Sequence, residues 1–134
     1  MMKVLDSYTQ TILRGEVIHG RQIGRTIGFP TANLHVNSEV ESYLPKGVYG
    51  VKVHHDNTYY NGVMNIGMRP TFKDKKEALS FEVHILHFNQ EIYGEQLKVD
   101  ILFFIREEQT FNSIDQLVQQ LNLDIEQANK QFLH

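Results

Sequence analysis

Along most of this chain, hydrophobic and polar positions alternate with a period of two, and a helical period appears only near the C-terminus. Val48–His54 is the clearest strand signal, with Tyr49, Val51 and Val53 on one side and Gly50, Lys52 and His54 on the other. Asp56 and Asn57 supply a turn, and Tyr59–Ile66 follows as the partner strand of a hairpin. Thr11–His19, Ser80–Phe88 and Leu97–Arg106 read as further strands, the last two joined through a polar turn around Tyr93 and Gly94. On Ser80–Phe88 the alternation gives Phe81, Val83 and Ile85 one face, and Glu82, His84, Leu86 and Phe88 the other.

Ile114, Leu117, Val118, Leu121, Ile125, Ala128 and Phe132 recur at helical spacing, which predicts a C-terminal helix over residues 113–133. Ser113 and Gln116 have the spacing of a capping box, in which each side chain satisfies the other residue's backbone N–H. Asp124 and Gln127 repeat a cap-like spacing, so a bend is expected at Asn122–Asp124. The pattern is therefore mainly β: five or six short antiparallel strands closed by one helix. A small barrel is the expected closure, because it removes the exposed edges of such a sheet.

No repeat, linker or low-complexity tract divides the 134 residues, so one domain is expected, with residues 1–13 as an N-terminal extension. The absence of cysteine excludes disulfides and thiolate metal sites. His84 and His87 fall on opposite strand faces, as do the adjacent His54 and His55, so neither pair reads as a zinc site. No apolar run suits a signal peptide or a membrane span, and a cytoplasmic location without a membrane partner is expected. Thirteen basic against sixteen acidic residues, a net charge of −3, argue against nucleic acid as a partner. They leave room for a local phosphate site, which needs only a few N–H groups and one or two cations.

Three segments have candidate chemistry. In His19–Leu34, Gly20, Gly24 and Gly28 alternate with Arg21 and Arg25, a pattern that suits either a phosphate-binding loop or a plain loop. In the same segment Pro30 favours extended backbone, which projects Thr31 and Asn33 to one side. The two are either hard oxygen ligands for Mg²⁺ or residues of a turn bonded to their own backbone. Glu82 is either a solvent-facing strand residue or a base for a substrate hydroxyl. Arg106 and Phe111 flank an acidic loop before the helix; they suit stacking on a planar ring, or a connector in which Phe111 staples the helix.

The wording of these segments together resembles the riboflavin kinase family. The matching stretches are GEVIHG from Gly15, GRTIGFPTANL from Gly24, GVYGVKV from Gly47, NIGMRPTF from Asn65, FEVHIL from Phe81, YGE from Tyr93 and IREEQTF from Ile105. They run from about Arg14 to the C-terminus and are most similar to the C-terminal kinase module of bifunctional bacterial FAD synthetases. The resemblance implies a six-stranded antiparallel Greek-key barrel with a C-terminal helix. It implies ATP- and Mg²⁺-dependent phosphorylation of riboflavin to FMN, with the family's adenylyltransferase domain absent from this chain. It assigns Gly20, Arg25, Gly28 and Thr31 to ATP, Thr31 and Asn33 to the metal, Glu82 to catalysis, and Arg106 and Phe111 to the flavin. Two other functions are weighed against this one. A non-catalytic flavin-sensing module would bind riboflavin without turning it over, and a small barrel for single-stranded nucleic acid would need the basic-aromatic stripe that this chain lacks.

Overall fold

A computed structural model describes residues 11–19, 28–36, 44–70 and 77–133. Six strands form it: β1 (Thr11–Ile18), β2 (Ala32–Val36), β3 (Gly47–His55), β4 (Thr58–Pro70), β5 (Glu77–Ile85) and β6 (Gln96–Arg106). One helix, α1 (Ile114–Phe132), follows. The strands close a barrel in the order β1-β2-β5-β4-β3-β6, and every pairing among the described residues is antiparallel. β3, β4 and β5 are successive neighbours and β6 returns beside β3, which is the Greek-key order.

The alternation seen in the sequence becomes inside and outside. Tyr49, Val51, Val53, Met64, Val83, Val99 and Ile101 point inward with no solvent exposure, and the interior is packed rather than hollow. Each such side chain contributes about 1.5–3 kcal/mol relative to an exposed one. An apolar inside and a largely polar outside invert the pattern of a membrane-spanning barrel, and among the described residues no helix is long and apolar enough to cross a membrane.

Several elements depart from expectation. β2 is an additional strand. It is five residues long and carries Asn33 and His35 outward among Leu34 and Val36, too short and too polar to stand out. β1 begins at Thr11, so Thr11, Ile12 and Leu13 belong to the barrel and not to an extension. β5 ends at Ile85, and Leu86 and His87 form a turn. Leu86 donates its N–H to the Asn61 carbonyl at 2.9 Å, and His87 adopts φ 56°, so Leu86 and Phe88 leave the face of Glu82. Residues 86–95 then form one long connection to β6, bonded to β1 by Gly94 N–H to Val17 O and Val17 N–H to Glu95 O. His55, buried, tightens the same connection through Glu95 at 2.7 Å. The β3–β4 turn is at Asp56-Asn57 as expected, with φ of 49° and 62° matching the primed hairpin geometry.

α1 runs without interruption through Asn122–Asp124, with no second cap there. The Ser113 side chain accepts from Gln116 N–H at 3.2 Å, as a cap should. The reciprocal arm reaches one residue further back, where Gln116 Oε1 accepts from Asn112 N–H at 3.1 Å. α1 lies against the outside of the barrel, where Ala128, Ile125 and Phe132 meet Val48, Val63 and Phe103. Gly50 makes this contact possible. It sits opposite Phe103, and a Cβ there would collide with the Phe103 ring.

Candidate active site

The barrel interior is full, so the chemistry must lie outside it, and the strand register decides where. Residues directly opposite in an antiparallel pair project on the same face. Asn33 faces Glu82 across β2–β5, and Glu82 faces Asn65 across β5–β4. Asn65 faces Val48 across β4–β3, and Val48 faces Arg106 across β3–β6. One stripe on the outer surface therefore runs Asn33, Glu82, Asn65, Val48, Arg106. Asn33 and Glu82 stand 49 positions apart in sequence, yet the register makes them neighbours.

A cavity of about 390 Å³ lies over this stripe. Its floor includes Glu82, Asn65, Val48 and Arg106, and its roof is α1 with Leu117, Leu121 and Ile125. Phe29 and Thr31 close one side, and Gln109 and Phe111 close another. Apolar walls with a few converging polar groups are the usual make-up of a site for a flat organic ligand.

At the helix side, Arg106 is held in place. Its Nε and one terminal nitrogen donate to the two oxygens of Asp124, both at 2.8 Å, and its other terminal nitrogen donates to the Glu107 carbonyl at 3.0 Å. Asp124 is 1% exposed and also accepts from Gln120 at 2.9 Å. The guanidinium carbon stands 5.9 Å from the centroid of the Phe111 ring. Asp124 therefore belongs to a buried ion pair and not to a second cap. An acid on the apolar stripe of a helix, three residues after Leu121 and seven after Leu117, was the sequence signal for it.

A second cavity of about 210 Å³ opens at the barrel mouth between β1, β2 and β5, lined by Val17, Ala32, Ile85, Phe88 and Tyr93. Thr31 lines both cavities. Gly28, which precedes this segment, has φ 90° with nothing within 4 Å of a would-be Cβ, so backbone conformation and not space calls for glycine there.

Of the residues singled out from the sequence, Thr31, Glu82, Arg106 and Phe111 line one cavity, and Asn33 adjoins it through its register with Glu82. Gly28 lies at its approach, and Gly20 and Arg25 lie outside the described residues. Asn65, His84 and Asp124 were missed. Among the described residues no cluster of three His, Asp or Glu could hold a metal. Thr31, buried Asn33 and Glu82 offer instead a small set of hard oxygen donors, which suits a Mg²⁺ ion that takes most of its ligands from phosphates and water.

The sequence profile of the flavokinase family, described as riboflavin kinase, matches residues 8–132. The bifunctional riboflavin kinase/FMN adenylyltransferase of Bacillus subtilis (strain 168) is 46% identical over 123 residues, 90% of this chain and 38% of that protein. The RNA-binding riboflavin kinase RibR of the same organism is 42% identical over 122 residues, 91% of this chain and 51% of that protein. The chain thus spans about half or less of these relatives. A solved structure described as a macrolide-efflux protein from Streptococcus pneumoniae superposes with a TM-score of 0.81 at 37% identity, covering 96% of this chain and 45% of the other. The riboflavin kinase of Trypanosoma brucei superposes with a TM-score of 0.65 at 27% identity, covering 91% and 79%.

Proposed function

The chain belongs to the riboflavin kinase family, and on that premise we propose that it transfers the γ-phosphate of ATP to the 5′-hydroxyl of riboflavin, giving FMN and ADP in the cytoplasm. The observation that carries this reading is the shared wall at Thr31. Phosphoryl transfer needs donor and acceptor brought in line, and two cavities meeting at one hydroxyl supply that arrangement. Riboflavin takes the larger cavity, its ring system between the α1 leucines, Phe111 and Arg106, and its ribityl chain toward Glu82. ATP approaches from the barrel mouth, its phosphates at Thr31 and near Gly28, with Gly20 and Arg25 proposed as further ATP-binding residues from the family resemblance.

Glu82 accepts the proton of the 5′-hydroxyl as that oxygen bonds to the γ-phosphorus and the bond to the β-phosphate oxygen breaks. Asn33 and Asn65, in register on either side, orient its carboxylate. Thr31 and Asn33 are the residues that would hold Mg²⁺, which when bound offsets charge on the β- and γ-phosphates. The roof of α1 excludes water that would otherwise hydrolyse ATP. Nucleic acid is not among the proposed partners. RNA binding is named for a relative of which this chain spans 51%, and the chain's own net charge is −3.

Incubation with riboflavin, ATP and Mg²⁺ followed by chromatography of the flavins tests the reading. FMN should form with one ADP per FMN, and FAD should not accumulate. Flavin binding without turnover would instead favour a sensing module. Thr31→Ala should weaken Mg·ATP binding and lower turnover together, on the order of 10²-fold. An unchanged Mg²⁺ dependence in that variant would remove Thr31 from the metal site.

A further inference from the structure

His84 has no role in the mechanism above, yet it makes a specific contact. Its Nδ1 lies 2.7 Å from the carbonyl oxygen of Pro30, and its ring meets Phe29 edge-on with centroids 5.7 Å apart. A carbonyl oxygen only accepts, so Nδ1 carries the hydrogen and donates it. The contact occurs where the sheet runs out. The β2–β5 ladder reaches Ala32 opposite Val83, and continuing the register by one step sets Thr31 against His84. Pro30 has no N–H to offer a neighbouring strand, which leaves its carbonyl as its one main-chain handle.

We infer that His84 is a positioning residue for Thr31. Its imidazole ties Pro30 to β5 just past the last ladder pair and holds the Thr31 hydroxyl where the two cavities meet. Pro30 and Thr31 line the smaller cavity on the phosphate side, while the His84 ring itself lines the larger one, so the tether is read on the nucleotide. This inference rests on the riboflavin kinase reading for its consequence in turnover, but its contact can be tested on nucleotide binding alone.

Two substitutions separate the hydrogen bond from the ring. His84→Asn places an amide N–H close to the position of Nδ1 and can still reach the Pro30 carbonyl. His84→Gln extends its amide toward the position of Nε2 and cannot. Calorimetric titration with Mg·ADP in the absence of flavin should show roughly three- to tenfold weaker binding for His84→Gln, the range expected for one lost hydrogen bond. His84→Asn should stay within about twofold of the parent in the same titration. His84→Leu should behave as His84→Gln; if it fails to fold, the Asn–Gln comparison decides. Wild-type Mg·ADP affinity in His84→Gln, or equal weakening in Asn and Gln, overturns the tether. A parent protein that binds Mg·ADP but makes no FMN would instead sink the kinase reading and leave the tether to be judged by the titration.

Discussion

Glu82→Gln is expected to fold and bind both substrates normally while FMN formation falls by roughly 10²- to 10⁴-fold, the usual contribution of a positioned base. Glutamine has the size of glutamate and retains one carbonyl oxygen, so Asn33 and Asn65, facing position 82 from the two neighbouring strands, still find a partner. What it lacks is an atom able to take the proton of the 5′-hydroxyl. If Glu82 were only a polar residue on the outer face of β5, the same change would stay within about 0.5 kcal/mol and hardly alter the rate. Single-turnover FMN formation under saturating substrates, with thermal unfolding to confirm the fold, separates the two. Near-normal FMN production by a folded variant would strip Glu82 of its assigned role.

The contrast between Glu82 and its surroundings shows which parts of this molecule could be read from sequence. Period-two alternation is local, and it gave Val48–His54 and the Asp56-Asn57 hairpin correctly. Phe81, Val83 and Ile85 were likewise grouped on one face, the one that points into the barrel, because the grouping needs only a few adjacent residues. β2 escaped because it is only five residues long and follows a glycine-rich stretch, so the alternation of Ala32, Leu34 and Val36 with Asn33 and His35 is too brief to stand out. The end of β5 escaped because Leu86 turns inward to bond Asn61, a contact made across 25 positions.

The site was legible as a set of residues but not as an arrangement. That Asn33, Glu82 and Arg106 share one stripe follows from the pairings of five strands, and no local pattern encodes a register between distant segments. Asn65 illustrates the cost. It lies in a stretch whose wording matched the family, yet nothing in that stretch set it apart until its pairing with Glu82 was known. Asp124 illustrates a different failure. Its spacing to Gln127 looked like a cap, and the competing signal, a carboxylate on the buried stripe of a helix, needed Arg106 as a partner to make sense.

That ion pair carries the largest expected effect on stability. Asp124→Ala should destabilise the protein by roughly 3–5 kcal/mol, because it leaves the Arg106 guanidinium, only 15% exposed, without its counter-charge. For a chain of this size the expected fall in Tm is about 10 °C or more. Arg106→Met with Asp124→Leu should restore most of that loss, since a well-packed apolar pair costs far less than one orphaned charge. The double variant then isolates the guanidinium's proposed contact with flavin. It should regain most of the lost Tm and wild-type Mg·ATP affinity but retain a raised apparent constant for riboflavin, because the cation beside the Phe111 ring is gone. Recovery of riboflavin affinity along with stability would mean that Arg106 serves only to fasten α1 to β6. A double variant as unstable as Asp124→Ala would mean that the pair holds the roof of the cavity through its hydrogen bonds and not through charge balance.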